Sequence, residues 1–143
     1  MTRRRLPHGG RRSASLGLLL AAGVLTLSAC TGPGADQAAQ VADSFDRAAV
    51  SDAGQACDLL AIRTREEVEK SEQQPCAQAL GQEDLPDPSP LLSVDVYGHD
   101  AMVRFGNDTV FLARFPDGWR VTAAGCRPGP SDDKPYECDV SGG

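Results

Sequence analysis

Cys57, Cys76, Cys126 and Cys138 are the residues whose chemistry is easiest to anticipate. In an exported chain, four thiols oxidise to two disulfides, and four cysteines allow three connectivities. Pairing within local units gives the expectation Cys57–Cys76 and Cys126–Cys138. No Cys-x-x-Cys or comparable close ligand pair is present, so no metal site is expected. Each bond closes a short loop and should stabilise the fold by roughly 3 kcal/mol in the chain-entropy model. Acid–base candidates are scattered. His99 lies in the turn sequence Gly98-His99-Asp100, where a histidine is solvated. Asp95 alternates with Val94 and Val96 and so points away from them, towards solvent or an opposite concave wall. Asp58 sits on the exposed side of a short helix, beside Cys57. Tyr97 and Tyr136 carry hydroxyl donors at a strand end and in a tail, where tyrosine usually packs its ring. There is no Gly-x-Ser-x-Gly, phosphate loop or metal-binding histidine pair. These residues do not combine into a nucleophile and its base, so neither catalytic residues nor a cofactor are expected. A single buried aspartate would still suffice for an isomerase, and Asp95 is its best candidate.

The fifth cysteine has a different chemistry. Leu27-Ser28-Ala29-Cys30 follows an apolar stretch, Leu16 to Leu27, and an N-terminus carrying Arg3, Arg4, Arg5, Arg11 and Arg12. Twelve residues are too few to span a bilayer, which takes roughly 20. A charged start, a short apolar run and small residues at its end mark a secretory signal. The four residues ending at Cys30 resemble a lipobox. That resemblance implies cleavage before Cys30 and a thioether-linked diacylglycerol on its sulfur. Two acyl chains anchor stably where one is marginal. The expected location is the extracytoplasmic face of a cell membrane, held there by the lipid. Arg11-Arg12 is followed by Ser13-Ala14-Ser15, which lacks the large apolar residue usual after a twin-arginine pair.

Removing residues 1–29 leaves 114, enough for one small domain with one core. All 20 carboxylates lie after Cys30, with nine cations, so this part carries −11. Such a surface repels phosphate backbones, and no nucleic-acid partner is expected. On the same argument the domain should stay off an anionic bilayer and meet the membrane through its lipid alone. Arg outnumbers Lys twelve to two, as in chains from GC-rich genomes.

These residues need elements to hold them. Residues 30–35, with Thr31-Gly32-Pro33-Gly34, read as lipidated cysteine and tether. Ala38, Val41, Ala42, Phe45 and Ala49 recur at helical spacing, with Gln40, Asp43 and Arg47 opposite, and predict a helix from about Asp36 to Val50. Asp52 with Gln55 suits the cap of a second helix through Leu60. Thr64-Arg65-Glu66-Glu67 reads as a capping box opening a third, with Glu66 and Lys70 as an i,i+4 pair. Pro75 opens a fourth, Cys76 to Leu80. After the polar loop Gly81 to Pro90 the period changes to two. Leu92, Val94 and Val96 form one strand, Ala101, Val103 and Phe105 a second. Thr109 to Phe115 is a third and Trp119 to Ala123 a fourth, joined by tight turns. The prediction is an α+β domain over 36–125: one long and about three short helices on a four-stranded antiparallel meander. A disulfide-closed tail rich in Gly, Pro and Asp follows over 126–143.

Helices followed by a curved meander resemble the nuclear transport factor 2-like cone, in the small form found in actinobacterial lipoproteins. The resemblance rests on Phe45 and its Ala-rich turn, Ala56-Cys57-Asp58-Leu59-Leu60, Cys76-Ala77-Gln78-Ala79-Leu80, Asp117-Gly118-Trp119-Arg120-Val121, Ala123-Ala124-Gly125-Cys126 and Pro135-Tyr136-Glu137-Cys138. It implies a fold and transfers no activity. Related cones include isomerases and cyclases that hold a carboxylate base in an apolar pocket. If the cone is hollow, Phe105, Phe111, Phe115, Trp119 and Val121 are candidates to line a cavity for a small apolar ligand. The leading expectation is a non-catalytic, lipid-anchored module that contacts another envelope protein. Its contact candidates are the exposed face of the meander and the tail around Tyr136.

Overall fold

A computed structural model describes residues 33–142; the export segment and Cys30 lie outside the described residues. Among the described residues, four helices precede the strands. They are α1 (Ala35–Ser51), α2 (Ala53–Leu59), α3 (Ile62–Glu72) and α4 (Cys76–Leu80). The strands are β1 (Leu91–Tyr97), β2 (Asp100–Phe105), β3 (Thr109–Phe115), β4 (Gly118–Ser131), β5 (Lys134–Glu137) and β6 (Val140–Ser141). The fold is mixed α+β, with an antiparallel sheet and both disulfides, Cys57–Cys76 and Cys126–Cys138. Strands β1 to β5 follow one another in order, and β6 pairs with β4.

Helix α1 lies across the sheet on a stripe of small residues. Ala35, Ala38, Ala42 and Ala48 are buried, and Phe45 is the large side chain that fills the space they leave. Alternation supplies the other half of the core: Ala101, Val103 and Phe105 from β2, Val110 and Leu112 from β3, Trp119 and Val121 from β4. Burying a phenylalanine like Phe45 contributes on the order of 2–3 kcal/mol. The Cys57–Cys76 bond ties α2 to α4 beside this core.

Five expectations are corrected. The sheet has six strands, because β4 runs on to Ser131 where a loop was expected, and the tail forms β5 and β6. The carbonyls and amides of 127–131 find partners in 134–137, which a one-dimensional pattern of Gly and Pro does not show. The helices have 17, 7, 11 and 5 residues, so α3 is not one of three short ones. Thr64 is no cap: α3 begins at Ile62 and the Thr64 hydroxyl donates to the Thr122 carbonyl (3.1 Å). Leu60–Ala61 is held by β4, through a bridge to Val121 and a 2.8 Å bond from the Ala61 amide to its carbonyl. The helix therefore starts as soon as that pairing ends. In it, Lys70 pairs with Glu67 and Arg65 with Glu69, in place of Glu66 with Lys70. Finally, Leu92 is exposed, because a bulge between Leu91 and Ser93 removes it from the alternation that Val94 and Val96 keep.

The Asp52 cap forms as expected, accepting from the Gln55 amide (3.2 Å). Further irregularities in β3–β4 pairing bend β4 near Gly125, whose φ is +64°. A Cβ there would lie 2.5 Å from Asp139 Oδ2 and 2.9 Å from Leu85, so only glycine fits.

Candidate functional site

Two adjoining clefts open where the start of α3 meets the β3–β4 turn. One, of about 350 Å³, is lined by Leu60, Ile62, Arg65, Phe115, Asp117 and Arg120, among others. The other, of about 490 Å³, shares Ala61, Ile62 and Phe115 and continues past Arg63 to Thr122 and Gly142. Between them Ile62 is 71% exposed and Phe115 39%, large apolar side chains held in water. Ile62 is there because β4 fixes Leu60 and Ala61, so the first helical residue emerges at the sheet edge. Phe115 ends β3 beside Gly118.

Cations surround this apolar pair. Arg120 bonds the Asp117 carboxylate (2.6 Å) and the Asp58 carbonyl (3.0 Å). That hydrogen bond holds the Asp117 carboxyl below its ordinary range. Arg65 lies 3.8 Å from Asp58 and 3.3 Å from Glu69. Arg114 stacks over the Trp119 ring, 5.8 Å from its centroid. Among the described residues, no carboxylate lies within ion-pair distance of Arg63 or Arg114. A third cleft, of about 390 Å³, leads from Asp117 and Arg120 past Trp119 to Gln37 and Gln40 of α1.

At the sheet's margin, β1 has, among the described residues, a ladder partner on one side only, β2. Leu91 and Leu92 at its start are 50% and 67% exposed. An open edge with apolar side chains is a template for another polypeptide.

The acidic groups whose pKa is raised lie apart from the apolar clefts. Asp46 is nearly buried on α1, and its carboxyl is pushed up to about 7 by burial, then by Asp108 and Asp43. Asp108 precedes β3 and is raised by burial, against backbone amides that bond its charged form; one, from Cys126, is 2.8 Å away. Glu83 is raised by burial and by Glu72 and Asp139. It lines a smaller cleft of about 260 Å³ with Asp139 and Glu67. Asp139 is bound in fork geometry by Arg127, at 2.9 Å on each oxygen. Asp46 lines none of these clefts. Among the described residues no group of three or more His, Cys, Asp or Glu could hold a metal ion.

The structure divides the five cavity candidates. Phe105, Trp119 and Val121 are buried in the core beneath α1. Phe111 is on the other face, its ring 4.9 Å from Tyr136 in an edge contact, and Phe115 is exposed. Strand parity separates them: Phe111 pairs with Met102, not with the inward Val103. Tyr136 does not reach out for a partner. Its hydroxyl approaches Met102 Sδ (3.4 Å) and its ring covers the sheet's outer face. Asp95 is on that face too, 3.3 Å from Arg104, which also bonds Ser93 (3.0 Å). His99 and Tyr97 are exposed at the β1–β2 turn, and Asp58 is exposed on α2. Asp46 was missed by sequence reasoning. Its signal was the spacing Ala38, Ala42, Asp46, a carboxylate four residues on along the buried stripe.

Comparisons with protein-family models, with curated proteins and with solved structures find no match. Among the described residues no helix is long and apolar enough to cross a membrane.

Proposed function

We propose that this chain is a lipid-anchored, extracytoplasmic module of the nuclear transport factor 2-like kind, without catalytic activity, that holds another envelope protein at the membrane surface. The observation that carries it is the open edge of β1 with Leu91 and Leu92 in water. A partner strand added there would satisfy the unused amides and carbonyls and cover both leucines. The anchor rests on Leu27-Ser28-Ala29-Cys30, and two disulfides fit an oxidising compartment. The absence of catalysis is supported by the clefts around Ile62, whose carboxylates Asp58 and Asp117 each pair with an arginine. Binding of a small apolar ligand inside the domain has weaker support, since Phe105, Trp119 and Val121 fill the core that was to be hollow.

The test is native mass spectrometry of the protein taken from its own membranes in mild detergent. A second polypeptide in the complex, lost in Leu92→Lys, is the expected result. A lone protein, or one carrying only a small extra mass beyond the lipid, would overturn the reading.

A further inference from the structure

The tether and the clefts share one end of the domain. Gly34 packs on the Trp119 indole, so close that an added Cβ would be 3.2 Å from Nε1. Trp119 pairs with Arg114, and Phe115 with Gly118, in the adjoining β3–β4 turn. The β1–β2 turn is at the same end, because the Arg114 amide donates to the His99 carbonyl (2.7 Å). Only four residues lead from Cys30 to Gly34, a reach of about 14 Å at full extension. A lipid on Cys30 therefore keeps this end within a short distance of the bilayer.

What this end presents differs from the rest of the surface. Ile62, Tyr97 and Phe115 are exposed here, at 71%, 62% and 39%. Arg63, Arg65, Arg114 and Arg120 accompany them, against the carboxylates Asp36, Asp58, Glu66, Glu69, Asp100 and Asp117. The end is the less acidic part of the domain, with six carboxylates to four arginines, and the other fourteen carboxylates face only five cations. The remaining exposed large apolar residues, Val50, Leu91 and Leu92, belong to the far end, with Asp43, Asp46 and Asp108.

We propose that the end bearing Ile62, Tyr97 and Phe115 is a docking surface for an anionic phospholipid bilayer, which orients the anchored domain with the edge of β1 directed away. This rests on the reading of Cys30 as lipidated. It replaces the expectation that the domain avoids an anionic membrane: net charge repels the domain as a whole, but a short tether lets the less acidic end approach while the more strongly acidic remainder is driven outwards. The arginines meet lipid phosphates, and the apolar side chains enter the interface between them.

The experiment is hydrogen exchange on the full chain in vesicles of phosphatidylcholine with and without phosphatidylglycerol, referenced to Cys30→Ser in buffer. Intact mass first reports whether Cys30 carries lipid. The expected result is about threefold or greater slowing in segments 60–66, 97–100 and 113–119 on anionic vesicles only, weakened by salt. Ile62→Ser with Phe115→Ser, both surface changes, should abolish the slowing without altering exchange in buffer. Lipid on Cys30 with equal exchange in all three conditions overturns the docking and leaves the anchor standing. Slowing in 88–93 instead, or slowing that needs a co-purified protein, also overturns it. If Cys30 carries no lipid, the anchor fails separately. The surface is then read by the same exchange with vesicles in excess: slowing in the three segments supports it, and none overturns it.

Discussion

Asp46 has the most to say at the scale of single residues. An unfolded chain releases its proton near 3.8, and the folded chain keeps it to about 7. Between those values the folded state binds more protons, so stability falls as pH rises through that window and the loss is complete above it. The shift corresponds to a cost on the order of 4 kcal/mol at neutral and higher pH. Burial raises Asp108 too, which adds in the same direction. Asp46→Asn removes the charge at nearly constant shape. Its melting temperature should exceed that of the wild type at pH 8 and match it near pH 4, and parallel pH profiles would refute the argument. Thr64 makes a second case. Its hydroxyl bonds a carbonyl of β4 from inside α3 and is 1% exposed. Thr64→Val keeps the shape and leaves that carbonyl with only the Gly142 amide, which also donates to it (3.1 Å). A loss of about 1 kcal/mol is expected in urea unfolding.

At the scale of elements, the C-terminal strands depend on one covalent bond. Strand β5 pairs only with the far half of β4, and β6 is two residues long. The Cys126–Cys138 bond closes a separation of 12 residues around β5, and β6 follows directly after it. Replacing both cysteines by serine should lower unfolding free energy by about 3 kcal/mol or less. The same variant should speed amide exchange first in 127–141, leaving β2 and β3 protected. Uniform acceleration throughout the sheet would show that the tail is part of one cooperative unit with the core. Tyr136 is the reason to expect some coupling, since it lies across Phe111 and Met102 on the outer face.

The whole molecule is governed by its charge. Residues 30–143 carry nine cations and 20 carboxylates, and most of the excess is away from the Ile62–Phe115 end. Such self-repulsion destabilises the compact state and is screened by salt. Adding sodium chloride at pH 8 should raise the melting temperature, and less so at pH 5, where Asp46 is protonated and its repulsion of Asp43 is gone. A melting temperature independent of salt at pH 8 would place the charges too far apart to matter.

Local pattern determined much of this protein. Helix α4 and strand β3 have the limits read from their residues, α1 differs by one residue at each end, and both disulfides pair as locality suggests. These features depend on neighbours within a few turns of helix or one hairpin, so a linear reading contains their causes. The tertiary structure decided what depends on remote partners. Strand β4 captured Leu60 and Ala61, moved the start of α3 to Ile62 and put that side chain in water beside Phe115. A bulge expelled Leu92, and backbone pairing turned an expected loop into β5 and β6. Periodicity tells which side chains share a face, and it does not tell what that face meets. Phe111 and Val121 looked alike as cavity walls until pairing set them on opposite sides of one sheet, and Asp46 looked like any helix carboxylate until Asp108 was brought beneath it.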